Sequence, residues 1–465
     1  MSNAAHEPFF ATSIDPSTGQ LIERFSGQSD AEVEDLLVTS VAAFERWREQ
    51  PLAPRVSILQ RLAQLLTERL EPLAHSITRE MGKTLVEARA EVMKCAKECE
   101  WYAQQGPALL ADEAAPVSER QAYVSYLPLG PILAVMPWNF PLWQAMRAAV
   151  PILLGGNVFI LKPAPNVVRC ALGLEQAWRD SGLPPGAFSV LNASNEQVGR
   201  VASDARVAGV TVTGSVRAGS ALAAMAGRAV KKSLLELGGS DPFLVLADAD
   251  LPRAVATAIT ARFQNAGQVC LAAKRFIVEQ PVAAEFIERF VESARKLVVG
   301  NPLESGTDLG PMARSDLREE LHQQVKRSIA LGAKRLLGAG KLTGAGYFYA
   351  PTVLGSVVPG MPAFEEETFG PVASMIVAAS EDEAIALANR SEYGLSSALW
   401  TRDLERARRI ARRLETGGVF INGYSRSDPR IPVGGVKKSG YGRELSHFGL
   451  REFMNAQAVW IEAAR

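Results

Sequence analysis

The sequence predicts an α/β protein with a Rossmann-like parallel sheet, a second α/β domain and a small β arm. Two observations lead to this fold class. Short apolar runs recur after residue 130, and every gap between them can hold a helix. A second alternation of strand-like and helix-like segments follows Gly239. Apolar runs that are separated by crossover helices are typical of parallel sheets buried on both faces.

The N-terminal part of the chain is predicted to be helical. Ser29 and Glu32 have the spacing of a capping box, which favours a helix running to about residue 49. Residues 56–103 keep apolar positions three and four apart, as a helix does. Cys95 and Cys99 lie one turn apart in this segment. We interpret them as small core side chains, with a metal site as the alternative.

The strands follow in order. Residues 120–127 alternate like a strand with one polar face, and we expect an arm or hairpin there. The apolar runs of the first sheet lie at residues 132–135, 158–161, 188–191, 209–212 and 234–235. Beyond Gly239, strands are predicted at residues 243–246, 275–279, 347–354, 372–378 and 419–421, and helices at 251–264, 282–299, 381–388 and 404–414.

Composition narrows the function classes. A chain of 465 residues is too long for one ordinary core, so two or three domains are expected. Its 50 basic and 50 acidic residues cancel, which argues against nucleic-acid or membrane partners. The start has no secretory signal, and residues 148–161 are too interrupted to span a bilayer. With only 4 cysteines, a reducing, cytoplasmic location is expected.

A carboxylate and a thiol mark the candidate chemistry. Glu236 ends an apolar strand and precedes two glycines, and Cys270 sits in a small polar turn. A thiolate that attacks a carbonyl and a carboxylate that activates water together allow covalent oxidation of an aldehyde. Turn amides could lower the pKa of Cys270. The alternatives are a buried structural cysteine and an ion pair of Glu236 across the domain boundary.

Two further segments could bind a ligand at strand ends. Asn139 lies between two prolines, and its side-chain amide could stabilise an oxyanion, although a simple turn asparagine is the competing interpretation. The usual glycine-rich dinucleotide fingerprint is absent from the sheet region. Thr213, Gly214 and Ser215 could still present amides to a pyrophosphate at a helix start.

Taken together, these segments resemble the aldehyde dehydrogenase superfamily over nearly the entire chain. The motifs that carry the resemblance are PWNFP at residues 137–141, KP at 162–163, TGS at 213–215, ELGG at 236–239, GQVC at 267–270, ETFGP at 367–371 and PVGGVKKSG at 432–440. The resemblance implies that Cys270 is the nucleophile and Glu236 the base. It also implies that Asn139 and the Cys270 backbone amide hold the oxyanion.

The resemblance further implies NAD or NADP as cofactor and assigns its contacts. Lys162 would bind the adenosine ribose and Glu367 the nicotinamide ribose. Ser215, the last residue of the motif formed with Thr213 and Gly214, would bind the pyrophosphate. Trp138 and Phe369 would line the cofactor cleft. NAD-preferring relatives often carry a glutamate where this chain has Pro165. Without that carboxylate a 2′-phosphate is not repelled, so we expect use of both cofactors.

The expected substrate is a short aldehyde with a distal carboxylate. In succinate-semialdehyde dehydrogenases an arginine at the place of Arg147 grips that carboxylate, and a supporting serine aligns with Ser427. A second arginine of many such enzymes is Gln264 here. We expect oxidation of succinate semialdehyde to succinate, with glutarate semialdehyde or an uncharged aldehyde as alternatives. An ion pair of Arg147 with a neighbouring acid is the competing interpretation.

The resemblance also implies the organisation of the chain, and we expect no metal site. Residues 1–106 and 129–237 would form the NAD(P)-binding domain and residues 238–453 the catalytic domain. Residues 107–128 and 454–465 would form an arm that pairs strands between the subunits of a homodimer or homotetramer. The rival functions are CoA-dependent acylation and a non-catalytic relative of the same fold.

Overall fold

A computed structural model of the protein describes residues 10–117 and 121–462. Its helices are α1 Asp30–Arg48, α2 Leu52–Glu68, α3 Leu70–Met81, α4 Leu85–Leu109, α5 Trp143–Leu154, α6 Val168–Asp180, α7 Asn195–Ser203, α8 Val216–Arg228, α9 Leu251–Phe263, α10 Gln280–Arg295, α11 Ser315–Ala330, α12 Pro362–Glu365, α13 Glu381–Asn389, α14 Leu404–Ala411 and α15 Ser446–Glu452.

Strands occupy five sheets in the described residues. They are β1 Phe10–Ile14, β2 Leu21–Ser26, β3 Glu113–Ala114, β4 Gln121–Pro128, β5 Pro131–Val135, β6 Val158–Lys162, β7 Phe188–Val190, β8 Gly209–Thr213, β9 Lys232–Glu236, β10 Asp241–Val245, β11 Ala273–Glu279, β12 Lys334–Leu337, β13 Thr352–Gly355, β14 Val372–Ala378, β15 Tyr393–Gly394, β16 Ser396–Trp400, β17 Gly418–Ile421, β18 Val436–Lys437, β19 Gly440–Tyr441 and β20 Met454–Ile461.

The first sheet confirms the predicted parallel arrangement. Its order is β19-β9-β8-β5-β6-β7, and β5 to β9 are mutually parallel. The short strand β19 was not predicted. It pairs antiparallel with β9 and sets Gly440 opposite Glu236. A segment near the end of the chain therefore borders the strand end that carries the candidate base.

The second sheet has the order β12-β13-β14-β11-β10-β16-β17. The six strands β13, β14, β11, β10, β16 and β17 are parallel to one another, as the second alternation of segments predicts. The edge strand β12 pairs antiparallel with β13. The sequence analysis did not identify β16 or α11. Strand β16 carries Ser396 and Ser397, and these polar residues obscure its apolar pattern although both are buried.

The predicted N-terminal helix begins at the capping box of Ser29 and Glu32. The helical segment 56–103 is divided into α2, α3 and α4. The break between α3 and α4 lies at Gly82, which ends α3 in a left-handed conformation (φ 83°). Cys95 and Cys99 are fully buried on α4, as expected for core side chains. The hairpin of β1 and β2 was not predicted, because β2 is mostly exposed and lacks a regular apolar alternation.

A separate three-stranded sheet contains the predicted arm. Strand β4 pairs antiparallel with β20 along its whole length, and the two-residue strand β3 lies on its other side. Arg120, the first residue of the predicted arm strand, lies outside the described residues, as do residues 1–9. No helix in the described part of the chain is long and apolar enough to cross a membrane. The assignment of residues to domains stays a prediction.

Candidate active site

Glu236 is the last residue of β9 and is buried, with 3% of its surface exposed. Its Oε1 atom has no hydrogen-bond partner among the described residues. Burial raises the pKa of Glu236 to about 8, and the nearby carboxylate of Glu444 acts in the same direction. Arg147 opposes this shift. A carboxyl group with such a pKa can exchange protons near neutral pH, as a general base must.

Cys270 follows a turn of unusual backbone conformation. Asn265 and Ala266 have positive φ angles of 52° and 51°, and Gly267 follows at 74°. A side chain at Gly267 would collide with the carbonyl of Gly370, which explains the glycine of the GQVC motif. The turn is held by the buried Arg262, whose guanidinium donates to the carbonyls of Gly267 and Gly370 at 2.7 and 2.6 Å.

The expected lowering of the Cys270 pKa is not found. Burial raises the pKa of the thiol to about 11, and the charge of Glu236 adds to the shift. Arg147 and Lys274 oppose it. Removal of the thiol from water therefore outweighs the nearby cations. The thiol keeps its proton at neutral pH, so a nucleophilic attack by this sulfur requires a base.

The loops that carry Glu236 and Cys270 converge. A Cβ atom added to Gly239, three residues after Glu236, would lie 3.1 Å from the backbone oxygen of Cys270. Asn139 joins the same place from the first sheet, because its Nδ2 donates to the carbonyl of Gln268 at 3.0 Å. Asn265 Nδ2 in turn donates to the Asn139 carbonyl at 2.9 Å. The three predicted catalytic side chains thus belong to one cluster of interacting loops.

Lys274 is a residue of this site that the sequence analysis missed. Its ammonium group donates to the carbonyls of Cys270 and Val269 at 2.8 and 3.1 Å. It also lies 3.5 Å from Glu367 Oε1. One sequence signal could have revealed it: Lys274 lies within the strand-like run that follows the cysteine. A lysine buried in such a strand needs polar partners, and these are found at the site.

The predicted cofactor residues near the cysteine lie along one edge of this cluster. Glu367 accepts a hydrogen bond of 3.0 Å from the backbone N–H of Gly239. A side chain at Gly238 would collide with the Glu367 carboxylate, so the two glycines of the ELGG motif permit this approach. The rings of Trp138 and Phe369 meet edge to face at 5.7 Å between centroids.

The remaining cofactor residues lie at the carboxyl ends of β6 and β8. Thr213 ends β8 with a buried Oγ1 that has no partner among the described residues. Ser215 caps α8 by accepting from the Ala218 backbone N–H at 3.3 Å, and a Cβ on Gly214 would meet open space. Lys162 ends β6, where burial lowers its pKa. A hydroxyl without a partner, a helix N-terminus and a half-buried cation suit the sugar and phosphate groups of a dinucleotide.

Pro165 lies beyond Lys162 at a cavity of about 310 Å³. The cavity is also lined by Asn166, whose buried side-chain amide has no partner among the described residues. Arg314 borders the same cavity. The carboxylate of Asp316 also lines this cavity, although none stands at position 165 itself.

Arg147 forms a buried ion pair with Glu444, which is the alternative weighed for it in the sequence analysis. Glu444 was missed by sequence reasoning because it lies nearly three hundred residues further along the chain. The charge of Arg147 also acts on Glu236 and Cys270, and its Nη2 atom is buried without a hydrogen-bond partner among the described residues. This arginine thus lies beside both candidate catalytic groups, with one nitrogen still unpaired.

The two other predicted substrate residues differ in their surroundings. Ser427 is part-buried and accepts hydrogen bonds from Trp143 Nε1 at 3.1 Å and from Lys94 Nζ at 2.6 Å. Trp143 precedes Arg147 by one turn of α5. Gln264 is exposed just after the end of α9, and within the described residues no hydrogen bond joins its side chain to this cluster. The structure therefore places Ser427, and not the Gln264 side chain, in a polar cluster near Arg147.

Comparisons with known proteins agree on one family. The model of the aldehyde dehydrogenase family matches residues 4–459. The NAD(P)+ succinate semialdehyde dehydrogenase Sad of Escherichia coli strain K12 is 54% identical over 450 residues, covering 97% of each chain. The NADP+ succinate-semialdehyde dehydrogenase of Mycobacterium avium strain 104 is 47% identical over 456 residues, again covering 97% of each chain.

A solved structure is similar over the same extent. The succinic semialdehyde dehydrogenase of Streptococcus pyogenes, determined in complex with NADP+, superposes with a TM-score of 0.95 at 35% identity. The match covers 97% of this chain and 99% of that one. The predicted fold class is thereby confirmed.

Proposed function

Because this chain belongs to the aldehyde dehydrogenase family, we propose that it oxidises succinate semialdehyde to succinate through Cys270, with NAD or NADP. The observation that carries the proposal is the position of Arg147, whose charge acts on both Cys270 and Glu236. A nucleophile, a base and a cation for a distal carboxylate then share one site. Glutarate semialdehyde, one methylene longer, is the second candidate.

The first step is attack of the Cys270 sulfur on the aldehyde carbon. Since the pKa of the thiol is about 11, its proton must be taken up as the carbon–sulfur bond forms. Glu236 is the nearby carboxylate whose charge acts on Cys270. The oxyanion of the resulting thiohemiacetal is stabilised by the second N–H of the Asn139 amide and by the backbone N–H of Cys270.

The second step releases the acid. Bound NAD or NADP supplies the acceptor for the hydride that leaves the thiohemiacetal carbon. Glu236, after releasing to solvent the proton it took from the thiol, removes a proton from water, which attacks the thioester on Cys270. That proton then passes to the departing thiolate and restores the free thiol. One aldehyde, one oxidised cofactor and one water give one carboxylic acid, one reduced cofactor and one proton. The positioned base Glu236 favours water over coenzyme A as the second nucleophile.

The cofactor would be held by the strand-end residues. Lys162 and Glu367 would bind the two riboses, and Thr213, Gly214 and Ser215 the pyrophosphate. Trp138 and Phe369 would line the cleft. We propose that both NAD and NADP are used, because Pro165 offers no carboxylate to repel a 2′-phosphate. Relatives named for NAD(P)+ and for NADP+ agree with this proposal.

We also propose a homodimer or homotetramer in the cytoplasm. Trp460 and Ile461 of β20 are 55% and 45% exposed, and such apolar side chains on the edge strand of a three-stranded sheet suit strand pairing with a second subunit. The four free cysteines suit a reducing compartment. Size-exclusion chromatography with light scattering measures the subunit number, and a monomer would contradict the first proposal.

A substrate panel tests the proposed function. NADH or NADPH formation is followed at 340 nm with succinate semialdehyde, glutarate semialdehyde and butanal, each with NAD and with NADP. We expect succinate semialdehyde to have the highest kcat/KM, and Cys270→Ser to show no activity. Product analysis with and without coenzyme A distinguishes acid from acyl-CoA. Preference for butanal, or activity that requires coenzyme A, would contradict the proposal.

A further inference from the structure

Lys94 is a second cation close to Arg147 that the proposed mechanism does not use. It lies on α4 and is half-buried. Its ammonium group donates to Ser427 Oγ at 2.6 Å and lies 4.0 Å from the ring centroid of Trp143. Its charge also acts against that of Arg147, so the two cations are close enough to repel each other.

Ser427 is arranged as a hydrogen-bond donor. A hydroxyl oxygen has two lone pairs and one proton. The two lone pairs of Ser427 accept from Lys94 and from Trp143 Nε1. The hydroxyl proton is then left to donate, and no acceptor for it is found among the described residues. The Ser427 hydroxyl and the Lys94 ammonium group are therefore two neighbouring hydrogen-bond donors. Two such donors can each bind one oxygen of a carboxylate.

The acidic residues around Lys94 do not neutralise it. Glu91 forms a buried ion pair with Lys83 and accepts the backbone N–H groups of residues 142 and 143. Burial raises the pKa of Glu98 well above its usual range, which favours the uncharged form of this carboxyl group. Within residues 10–117 and 121–462, no ion pair of Lys94 is found. Arg147, in contrast, already pairs with Glu444.

We propose that Lys94 is a specificity-determining residue that binds the distal carboxylate of the substrate together with Ser427 and Arg147. The inference rests on the proposed function and deepens it. Lys94 would supply the second positive charge that the exposed Gln264 does not. A bound carboxylate would also relieve the repulsion between Lys94 and Arg147, so it would bind more tightly than an uncharged chain of the same length.

Substitutions of two lysines on α4 test the proposal. Lys94→Met removes the charge and keeps the length, Lys94→Arg keeps the charge, and Lys97→Met is the control, since Lys97 is exposed on the same helix. The measured quantity is the ratio of kcat/KM for succinate semialdehyde to that for butanal. We expect Lys94→Met to lower this ratio at least tenfold through KM, Lys94→Arg to restore most of it, and Lys97→Met to leave it unchanged.

The pH dependence of the same ratio provides a test on the unmodified protein. Burial, and next Arg147, lower the pKa of Lys94 to about 8, whereas Cys95, Glu98 and Glu91 oppose the shift. Below this pKa Lys94 is charged, so the preference for the carboxylate substrate should be full at pH 7 and fall as the pH passes 8. The pH dependence of steps that are common to both substrates, such as ionisation of Cys270 and Glu236, cancels in the ratio of the two kcat/KM values. The fall should disappear in Lys94→Arg, whose guanidinium stays charged.

The outcomes separate the two proposals. If the unmodified protein prefers succinate semialdehyde, but the ratio is flat from pH 7 to 9 or unchanged in Lys94→Met, the role of Lys94 is overturned and the proposed function stands. If the unmodified protein shows no preference for succinate semialdehyde over butanal, the proposed function fails, and the role of Lys94 fails with it. The pH measurement decides even if a variant does not fold.

Discussion

Arg147 and Glu444 form an ion pair that is shut away from solvent, with 2% and 3% of their side chains exposed. The pair lies beside Glu236, and its two charges act on that carboxyl group in opposite directions. The protonation of the candidate base is therefore set by residues from α5 and from the loop before α15. This dependence leads to the first two predictions.

Glu444→Gln should lower the pKa of Glu236. The substitution removes a negative charge and frees Arg147 to act on Glu236, and both effects favour the charged carboxylate. Activity that requires ionised Glu236 rises with pH through this pKa, so the ascending limb of the kcat profile should begin at a lower pH. The measurement is kcat from pH 5 to 10 at saturating substrate. A limb that moves to higher pH would disprove the coupling.

Arg147→Met should weaken succinate semialdehyde binding and also destabilise the fold. Loss of one partner of a buried pair typically costs about 3–5 kcal/mol. Combination with Glu444→Gln should recover part of this cost, because no uncompensated buried charge then remains. Denaturant unfolding of the two single variants and the double variant measures the coupling. Strict additivity would show that the pair contributes nothing specific.

Cys270 should react slowly with iodoacetamide at neutral pH. With a thiol pKa of about 11, the thiolate fraction and the alkylation rate should rise about tenfold per pH unit between pH 7 and 10. Peptide mass spectrometry can follow Cys270 separately from Cys95, Cys99 and Cys170, which are fully buried. A rate that levels off by pH 8 would contradict the raised pKa.

Glu236→Gln should leave the fold intact and remove the base. The amide has nearly the same shape but cannot accept the proton of the thiol or of water, so kcat should fall by about 10²–10⁴. Circular dichroism and the melting temperature control for folding. Retention of more than a tenth of the activity at pH 7 would assign the base to another residue.

Pro165→Glu should convert dual cofactor use into NAD preference. A carboxylate after Lys162 can accept the ribose hydroxyls of NAD but repels a 2′-phosphate. We expect kcat/KM for NADP to fall at least tenfold and that for NAD to stay within a factor of about three. Pro165→Gln, which has the same size without the charge, is the matched control. Equal loss with both cofactors would place the residue away from the ribose.

The sequence was sufficient for the parts of the site that local patterns encode. Glu236 could be identified because a charge that ends an apolar strand is unusual, and Cys270 because its turn is polar. Lys94 and Glu444 could not be identified in this way. Both come from helical or loop segments far from Cys270 in sequence, and only the packing of α4, α5 and the segment before α15 brings them to Arg147.

The pKa of Cys270 shows a different limit. A polar turn predicts helpful amides, but it does not reveal how much water the surrounding segments exclude. Arg262 and Lys274 draw the turn inward by hydrogen bonds to its carbonyls, and desolvation then dominates the titration of the thiol. Burial of this kind depends on partners such as Gly370, which lie about a hundred residues further along the chain.

The pairing of β19 with β9 has a consequence for biosynthesis. The strand that presents the base is completed by a partner strand some two hundred residues further along the chain, so the full surroundings of Glu236 can form only after residues 440 and 441 have been made. A chain that stopped before β19 would carry the nucleophile and the base but would lack Glu444, whose charge acts on the pKa of Glu236.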